Sequence, residues 1–328
     1  MNMLKGAVAG LTMAASLPAC ASTIYVWDNG DTGFDRGLYA VDSQSGAVSD
    51  FINGAFDFST NQFSGTGKNA TRSRNINTLT YNSRTNTLFG IGDGSRQTLI
   101  ELDPATRTAT EIATLSALSP AVGRLDAIAF NPSDGKLYGA VRNPNIDLSD
   151  ILFRIDLDTL TSQELGPVSA FTASNSLGTR ETRRLDIAFD EVGNLYGFAG
   201  VSRQAVEINL STLQTTWLGD LLGVSPVPNT ASFRDVAFDQ ASGRVVGWDV
   251  FDRRFEGFET SAGTSQVFPG PALSHQTGGV AIGPATAQVP APATAWLFAG
   301  PLLLISRRNR MRRTRRAVSP DGRCRHLV

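Results

Sequence analysis

Leu125-Asp126-Ala127-Ile128-Ala129-Phe130-Asn131-Pro132-Ser133-Asp134-Gly135-Lys136-Leu137-Tyr138-Gly139 is the stretch from which the fold can be read. Apolar side chains alternate through Ile128 and Phe130, the Asn-Pro-Ser-Asp-Gly cluster reverses the chain, and Leu137-Tyr138 begins a return strand. The pattern recurs. Leu185 to Asp190 leads through Glu191-Val192-Gly193-Asn194 to Leu195-Tyr196-Gly197, and Asp235 to Asp239 leads through Gln240-Ala241-Ser242-Gly243 to Val245-Val246-Gly247. A looser copy joins Leu79-Thr80-Tyr81-Asn82 to Leu88-Phe89-Gly90.

A third strand and its turn follow in each copy, as Leu99 to Thr106, Leu152 to Thr159, Val206 to Thr212 and Phe255 to Gly263. The chain itself opens differently. Ile24-Tyr25-Val26-Trp27, Gly37 to Asp42 and the turn to Val48 match the second, third and fourth strands of a unit whose first strand is missing. That strand stands at the other end, in Gly279-Val280-Ala281-Ile282-Gly283, which aligns with Ala127 to Asn131. Anchor positions 81, 130, 189, 238 and 282 are separated by 49, 59, 49 and 44 residues, the period of a four-strand unit with variable loops. Five units, one split across the ends, predict an all-β fold. It is a five-bladed β-propeller of four-stranded blades spanning about 23–283, closed into a circle by the C-terminal strand. A single sheet or a sandwich accounts for the alternation but not for the displaced strand.

Connections after the first and third strands of each unit are short, and because strands alternate in direction those turns share one face. The longer connections, Asn53 to Arg74, Ser116 to Arg124, Pro167 to Arg184 and Gly219 to Arg234, gather on the other. That face is therefore expected to read a ligand.

Of the 328 residues, 41% are hydrophobic, enough for a packed core. The net charge of −1 hides an asymmetry, because nine arginines crowd positions 307–325. Without them, Lys5 and Asp321, 19 basic and 29 acidic residues remain, a net of about −10 that argues against nucleic acid as a partner. Cys20 and Cys324 both lie in terminal segments, so no disulfide frames the domain between them.

Residues 1–21 read as a secretory signal: Lys5, a small apolar run from Gly6 to Leu17, and Ala19-Cys20-Ala21 with cleavage after Ala21. Leu17-Pro18-Ala19-Cys20 leaves open a lipoprotein reading in which Cys20 becomes the lipidated first residue. The propeller domain then covers 22–283 and a linker 284–288. Residues 289–316 hold Val289-Pro290-Ala291-Pro292-Ala293, the apolar run Trp296 to Ile305 and the arginine cluster, followed by a basic tail at 317–328. This order resembles the PEP-CTERM sorting signal of exported Gram-negative proteins, in its Val-Pro-x-Pro-Ala variant. Ala291 stands where glutamate is usual, and the tail runs past the arginines. The resemblance implies transient anchoring in the inner membrane and processing by a sorting protease of the exosortase type. An apolar run held there with cytoplasmic arginines agrees with the positive-inside bias.

The domain offers little assembled chemistry. His275 is its one histidine, and no Gly-x-Ser-x-Gly turn accompanies a serine. Asp28-Asn29-Gly30-Asp31-Thr32-Gly33-Phe34-Asp35 lacks EF-hand spacing and reads as a turn. More suggestive are Asn77, Asp126, Asp186 and Asp235, at the start of the first strand in four of the five units, the fifth having Gly278-Gly279 there, with Arg124, Arg184 and Arg234 beside three of them. In a ring these positions converge on the channel mouth, where carboxylates can hold calcium or a polar ligand. Alternatively, each Asp pairs with an Arg or caps backbone amides and so locks blade to blade. Recurrent Leu-Tyr-Gly and Asp-x-x-Thr patterns also resemble uncharacterised exported propeller proteins, a structural likeness without an activity. The functional expectation is an exported binding or structural module at the cell surface or extracellular matrix, for a polysaccharide or protein ligand. The alternative is a hydrolase or lyase using the Asp and Arg residues of the channel mouth.

Overall fold

The recurring turns are built on Asn and Asp side chains. In the turn after the first strand of a unit, the side-chain oxygen of Asn82, Asn131, Asp190 or Asp239 accepts the backbone N–H two residues on, at 2.9–3.2 Å. In the turn after the third strand, Asp42, Asp103, Asp156 and Asn209 do the same, at 2.8–3.1 Å. These bonds hold the chain reversed before any long-range contact forms. Each turn then needs one left-handed residue, supplied by Gly135, Gly193 and Gly243 or by Asn86 in the first set, and by Gly46, Gly263, Arg107, Leu160 or Leu213 in the second.

The computed structural model describes residues 22–29, 37–53, 55–57, 62–64, 76–92, 98–114, 125–142, 149–169, 171–172, 179–180, 185–199, 204–221, 233–249, 253–268, 273 and 277–284. The chain divides into two compact units, Met1–Ala285 and Thr286–Val328, and every described residue belongs to the first. Ala21, His275, the motif Val289, Pro290, Pro292 and Ala293, the apolar run and the arginine cluster lie outside the described residues. Among the described residues no helix is long and apolar enough to cross a membrane.

Every regular element described is a strand. Blade I begins with β1 (Thr23–Asp28), β2 (Gly37–Asp42) and β3 (Val48–Asn53). A short hairpin, β4 (Ala55–Asp57) and β5 (Gln62–Ser64), then touches the outer edge of blade II, which consists of β6 (Ile76–Asn82), β7 (Thr87–Gly92), β8 (Thr98–Asp103) and β9 (Thr108–Thr114). Blade III is β10 (Leu125–Asn131), β11 (Lys136–Val141), β12 (Ile151–Asp156) and β13 (Thr161–Pro167), and a two-residue pair, β14 (Phe171–Thr172) with β15 (Thr179–Arg180), follows it. Blade IV is β16 (Leu185–Phe189), β17 (Leu195–Ala199), β18 (Gln204–Ile208) and β19 (Thr215–Asp220); blade V is β20 (Phe233–Asp239), β21 (Arg244–Asp249), β22 (Arg254–Glu259) and β23 (Thr264–Phe268). The last strand, β24 (Thr277–Gly283), returns to blade I and pairs antiparallel with β1, Ile24 opposite Ile282 and Val26 opposite Val280. The displaced strand therefore closes a ring of five antiparallel blades, as the repeat arithmetic requires. Neither short hairpin, β4–β5 nor β14–β15, follows from the repeat.

Five apolar clusters form the core, and each lies between two successive blades. Tyr25, Trp27 and Leu38 meet Ile76, Leu79 and Leu88 between blades I and II; Phe89, Ile91 and Leu99 meet Ile128, Phe130 and Leu137 between II and III. Ala127, Ala129 and Tyr138 face Ile187 and Phe189; Ala188 and Phe198 face Val236 and Phe258; and Val246, Trp248 and Phe255 face Ile24, Val26, Val280 and Ile282. One theme repeats: the second-strand aromatic of a blade packs on the first-strand aromatic of the next, as Tyr25 on Tyr81, Tyr138 on Phe189 and Tyr196 on Phe238. In the Leu-Tyr-Gly sequences the glycine makes room for the residue that begins the first strand, since a Cβ at Gly139 would stand 2.5 Å from Leu125 Cδ2 and one at Gly197 2.7 Å from Leu185 Cδ1.

Since every blade buries its core against its neighbours, removing β24 uncovers apolar surface on blades V, I and II together. Val280 and Ile282 alone contribute about 1.5–3 kcal/mol each by burial, and each kcal/mol is about 2–4 °C in a domain of this size. A chain ending at Gln276 is expected to melt at least ~10 °C below one ending at Ala287, or to lose its cooperative transition. Differential scanning calorimetry checks this, and equal melting of the two chains excludes the circular arrangement.

Candidate functional site

The innermost strands β24, β6, β10, β16 and β20 pair on one side only, so their other edges present N–H and C=O groups to the axis. Buried backbone groups of this kind need partners. Side chains from neighbouring blades supply several of these, most of them toward the long-loop side. Leu79 N–H and Val280 N–H both donate to Asp235 Oδ2, at 2.6 and 2.9 Å, and the Thr78 hydroxyl donates to Asp235 Oδ1 at 2.9 Å. Thr78 Oγ1 in turn accepts Ile128 N–H at 3.1 Å, Thr80 Oγ1 accepts Phe130 N–H at 2.9 Å, and Asp150 Oδ2 accepts Leu185 N–H at 2.8 Å. One carboxyl group thus ties blade V to blades I and II, and one threonine carries the tie into blade III. Asn29 adds a two-way clasp, accepting Ile76 N–H at 3.2 Å and donating to the Ile76 carbonyl at 3.3 Å.

The positions singled out in the sequence owe their placement to β-bulges. The register skips between Ile76 and Thr78, between Leu125 and Ala127, between Phe233 and Val236, and between Thr277 and Gly279 opposite β1. Asn77, Asp126, Asp235 and Gly278 therefore fall on equivalent bulges, which re-aim a side chain. Asp235 adopts φ 74°, a left-handed conformation in which Asp and Asn are enriched among non-glycine residues. Blade I carries glycine for a steric reason: a Cβ at Gly278 would lie 1.6 Å from the Ile76 carbonyl oxygen, and one at Gly279 2.7 Å from Leu79 N. Asp186 alone sits on an unbroken register.

The acidic residues do not behave alike. Asp235 is 2% exposed and Asp186 8%. Burial pushes the Asp235 carboxyl up to about 8, against the pull of the Leu79, Val280 and Thr78 donors. Burial, then the Asp235 and Asp126 charges, push Asp186 well above the ordinary carboxylate range, although it accepts the Asp235 backbone N–H. Asp126 instead pairs at 2.9 Å with Arg142, whose side chain is half exposed, an arrangement worth at most about 1 kcal/mol. Arg124 and Arg184 lie outside the described residues, and of Arg234 only the backbone, in β20, is described. Asn77 Nδ2 is buried with no partner among the described residues. Among the described residues no group of three or more His, Cys, Asp or Glu is arranged to hold a metal ion. Thr78, Thr80 and Asp150 were not singled out by the sequence, and Asn29 only as part of a turn; Thr78 and Thr80 fall within β6, and Asp150 and Asn29 just outside strand ends, places that announce no such role.

At the other end of the axis the arrangement opens. A cavity of about 550 Å³ is bounded by Thr80, Tyr81, Phe130, Ile187, Phe189, Val236, Phe238 and Ile282, with Ser83, Asn86, Glu191 and Gln240 at its turns. Ala188, Ala237 and Gly283 also line it, and side chains this small leave the axis unfilled. Those turns belong to the short-turn face, whereas loop length had pointed to the opposite face as the one that reads a ligand. Ser22 lines the same cavity, and its hydroxyl donates to Asp239, joining the start of blade I to blade V.

No protein-family model matches this chain, and no curated protein matches it. Among solved structures, a chain from the crystal structure of a nidogen/laminin complex covers 81% of this chain and 99% of its own length, with a TM-score of 0.50 and 9% sequence identity. What is shared is the fold. At that identity the likeness shows the fold alone.

Asp235→Asn keeps an acceptor for the two amides, tolerates the left-handed φ and removes the titration. Because the folded carboxyl titrates near 8 and an unfolded one near 4, its contribution to stability is complete below about pH 4 and is lost as pH rises toward 8. The wild-type protein should therefore lose stability across that window relative to Asp235→Asn, which denaturant titrations at several pH values measure. Asp235→Ala orphans all three donors and should cost roughly 3–5 kcal/mol.

Proposed function

We propose that the protein is an exported binding module, held at the cell surface or in the extracellular matrix, that presents its propeller to a polysaccharide or protein partner. The observation that carries this reading is the axial channel: side chains spend one end on locking the blades, and the other end opens as a cavity of ligand size with apolar walls. The sequence supplies the address. Cleavage after Ala21 would release Ser22 as the first residue, and Val289, Pro290, Pro292 and Ala293 would be read by an exosortase-type protease while the apolar run holds the chain in the membrane. A net charge of about −10 over the central domain agrees with a partner other than nucleic acid. That the solved neighbour takes part in a nidogen/laminin complex agrees with a protein partner.

A second reading has one observation in its favour. Asp186 and Asp235 are buried, adjacent carboxyl groups displaced far upward in pKa, a state that recurs where enzymes hold a general acid. Together with Asp126, Asn77 and the arginines Arg124, Arg184 and Arg234, they are the residues a hydrolase or lyase would use at the long-loop end.

Two measurements test the proposal. Intact mass of surface-stripped protein from a host with a sorting protease should show a chain that begins at Ser22 and has lost everything beyond about Pro290; a retained arginine tail removes the sorting reading, and a diacylglyceryl mass on Cys20 replaces cleavage at Ala21 with lipidation. The exported protein should bind glycans or matrix proteins without turning over glycan or lactone substrates. Turnover abolished by Asp186→Ala decides for the enzyme.

A further inference from the structure

We infer that the axial cavity on the short-turn face is a binding site for a small, uncharged molecule with a ring-shaped apolar body and both donor and acceptor groups. Its polar surface comes from the backbone. In β10 the N–H groups of Ile128 and Phe130 leave the ladder and face the axis, where Thr78 and Thr80 accept them. Leu185, Val280 and Leu79 do the same in their own strands. Because ladder direction alternates from residue to residue, the register of blades IV, V and I turns Ile187, Phe238 and Ile282 to the axis as well.

At the long-loop end, protein side chains cap these edges. Toward the short-turn end, Thr80 caps Phe130, but no side chain among the described residues accepts from Ile187, Phe238 or Ile282. All three line the cavity. An occupant gains most by offering acceptors to those N–H groups and donors to the matching carbonyls, while its body rests on apolar walls.

Charge narrows the class further. Glu191, exposed at the rim, is the only charged side chain among the lining residues. A charged ligand would surrender its hydration without gaining a side-chain counter-ion, and in the full chain, uncleaved after Ala21, Ser22 adds no α-ammonium to the wall. The volume of about 550 Å³ suits a bicyclic ring system or a short saccharide with an apolar face.

The inference rests on the binding-module reading, but its test is separate from that reading's. The full chain is titrated with naphthalene carboxamide, naphthoate and naphthylmethylammonium, which share one ring body and differ in charge. Ligand-observed nuclear magnetic resonance and the shift of Tm report binding. The carboxamide should bind at least ~10-fold more tightly than either ion, a difference of about 1.4 kcal/mol. Ala241→Trp places a large side chain on an exposed turn at the mouth and should abolish binding while leaving the unliganded Tm unchanged; Ser83→Trp serves as a second such variant. Equal binding of naphthoate, no binding of the carboxamide, or binding that survives both tryptophan variants overturns the assignment. Catalysis at Asp186 would remove the binding-module reading and leave this comparison intact, whereas failure of the comparison leaves the export and partner-binding measurements standing.

Discussion

An innermost strand in a closed ring has one edge that no other strand can pair. Around this axis five such edges meet, and the backbone groups they present would each cost free energy if buried alone. Much of what is unusual in the chain answers that constraint. Bulges turn Asn77, Asp126 and Asp235 out of the pleat, Asp235 accepts amides from two other blades, Thr78 both donates and accepts, and Gly278 and Gly279 let blade I approach close enough to be gripped. Asp235 and Asp186 at the channel mouth are thus first a solution to a backbone problem. Any chemistry they perform must be compatible with that duty.

The same constraint accounts for the difference between the two ends of the channel. Capping one tier of amides brings side chains into the axis and fills it. Where the strands carry Ala188, Ala237 and Gly283 instead, the axis stays open and the edge groups are left for something else to satisfy. Burial raises the proton affinity of both Asp186 and Asp235; with the Asp235 carboxyl pushed up to about 8, the group that ties blades V, I and II carries little charge at neutral pH, in keeping with the energetic penalty on buried ions.

How much of this could be read in advance follows from the range of each interaction. Turns built on Asn131, Asp190 or Asn209 involve neighbours two residues away, so their signature is compact and repeats visibly. The split blade was legible because β24 carries the alternation its position lacks a partner for. By contrast, the bond between Thr78 and Asp235 spans 157 residues, and nothing local to either residue announces it. An Asp beside an Arg suggested an ion pair; Asp126 does form one, but with Arg142, which the hairpin brings opposite. The cavity was hidden for a related reason: alanine in a strand is unremarkable until neighbouring blades, as with Ala188 and Ala237, place their small residues at the same height. Loop length, the guide used for the ligand face, measures what surrounds a channel and is silent on what fills it.

Closing the circle by pairing β24 with β1 makes Thr23 and Gly283 register partners, about 5 Å apart at their Cα atoms. The direction of a mechanical load then decides how the ring yields. Tension that draws the two chain ends apart opens the β1–β24 ladder from its tip, one hydrogen bond after another, so the seam is the line of least resistance. Tension applied only beyond Pro284, against the body of the ring, runs along β24 and loads the whole ladder at once, together with the grip of Asp235 on Val280. A protein held by its C-terminal side alone is thereby fastened through the stronger of the two geometries.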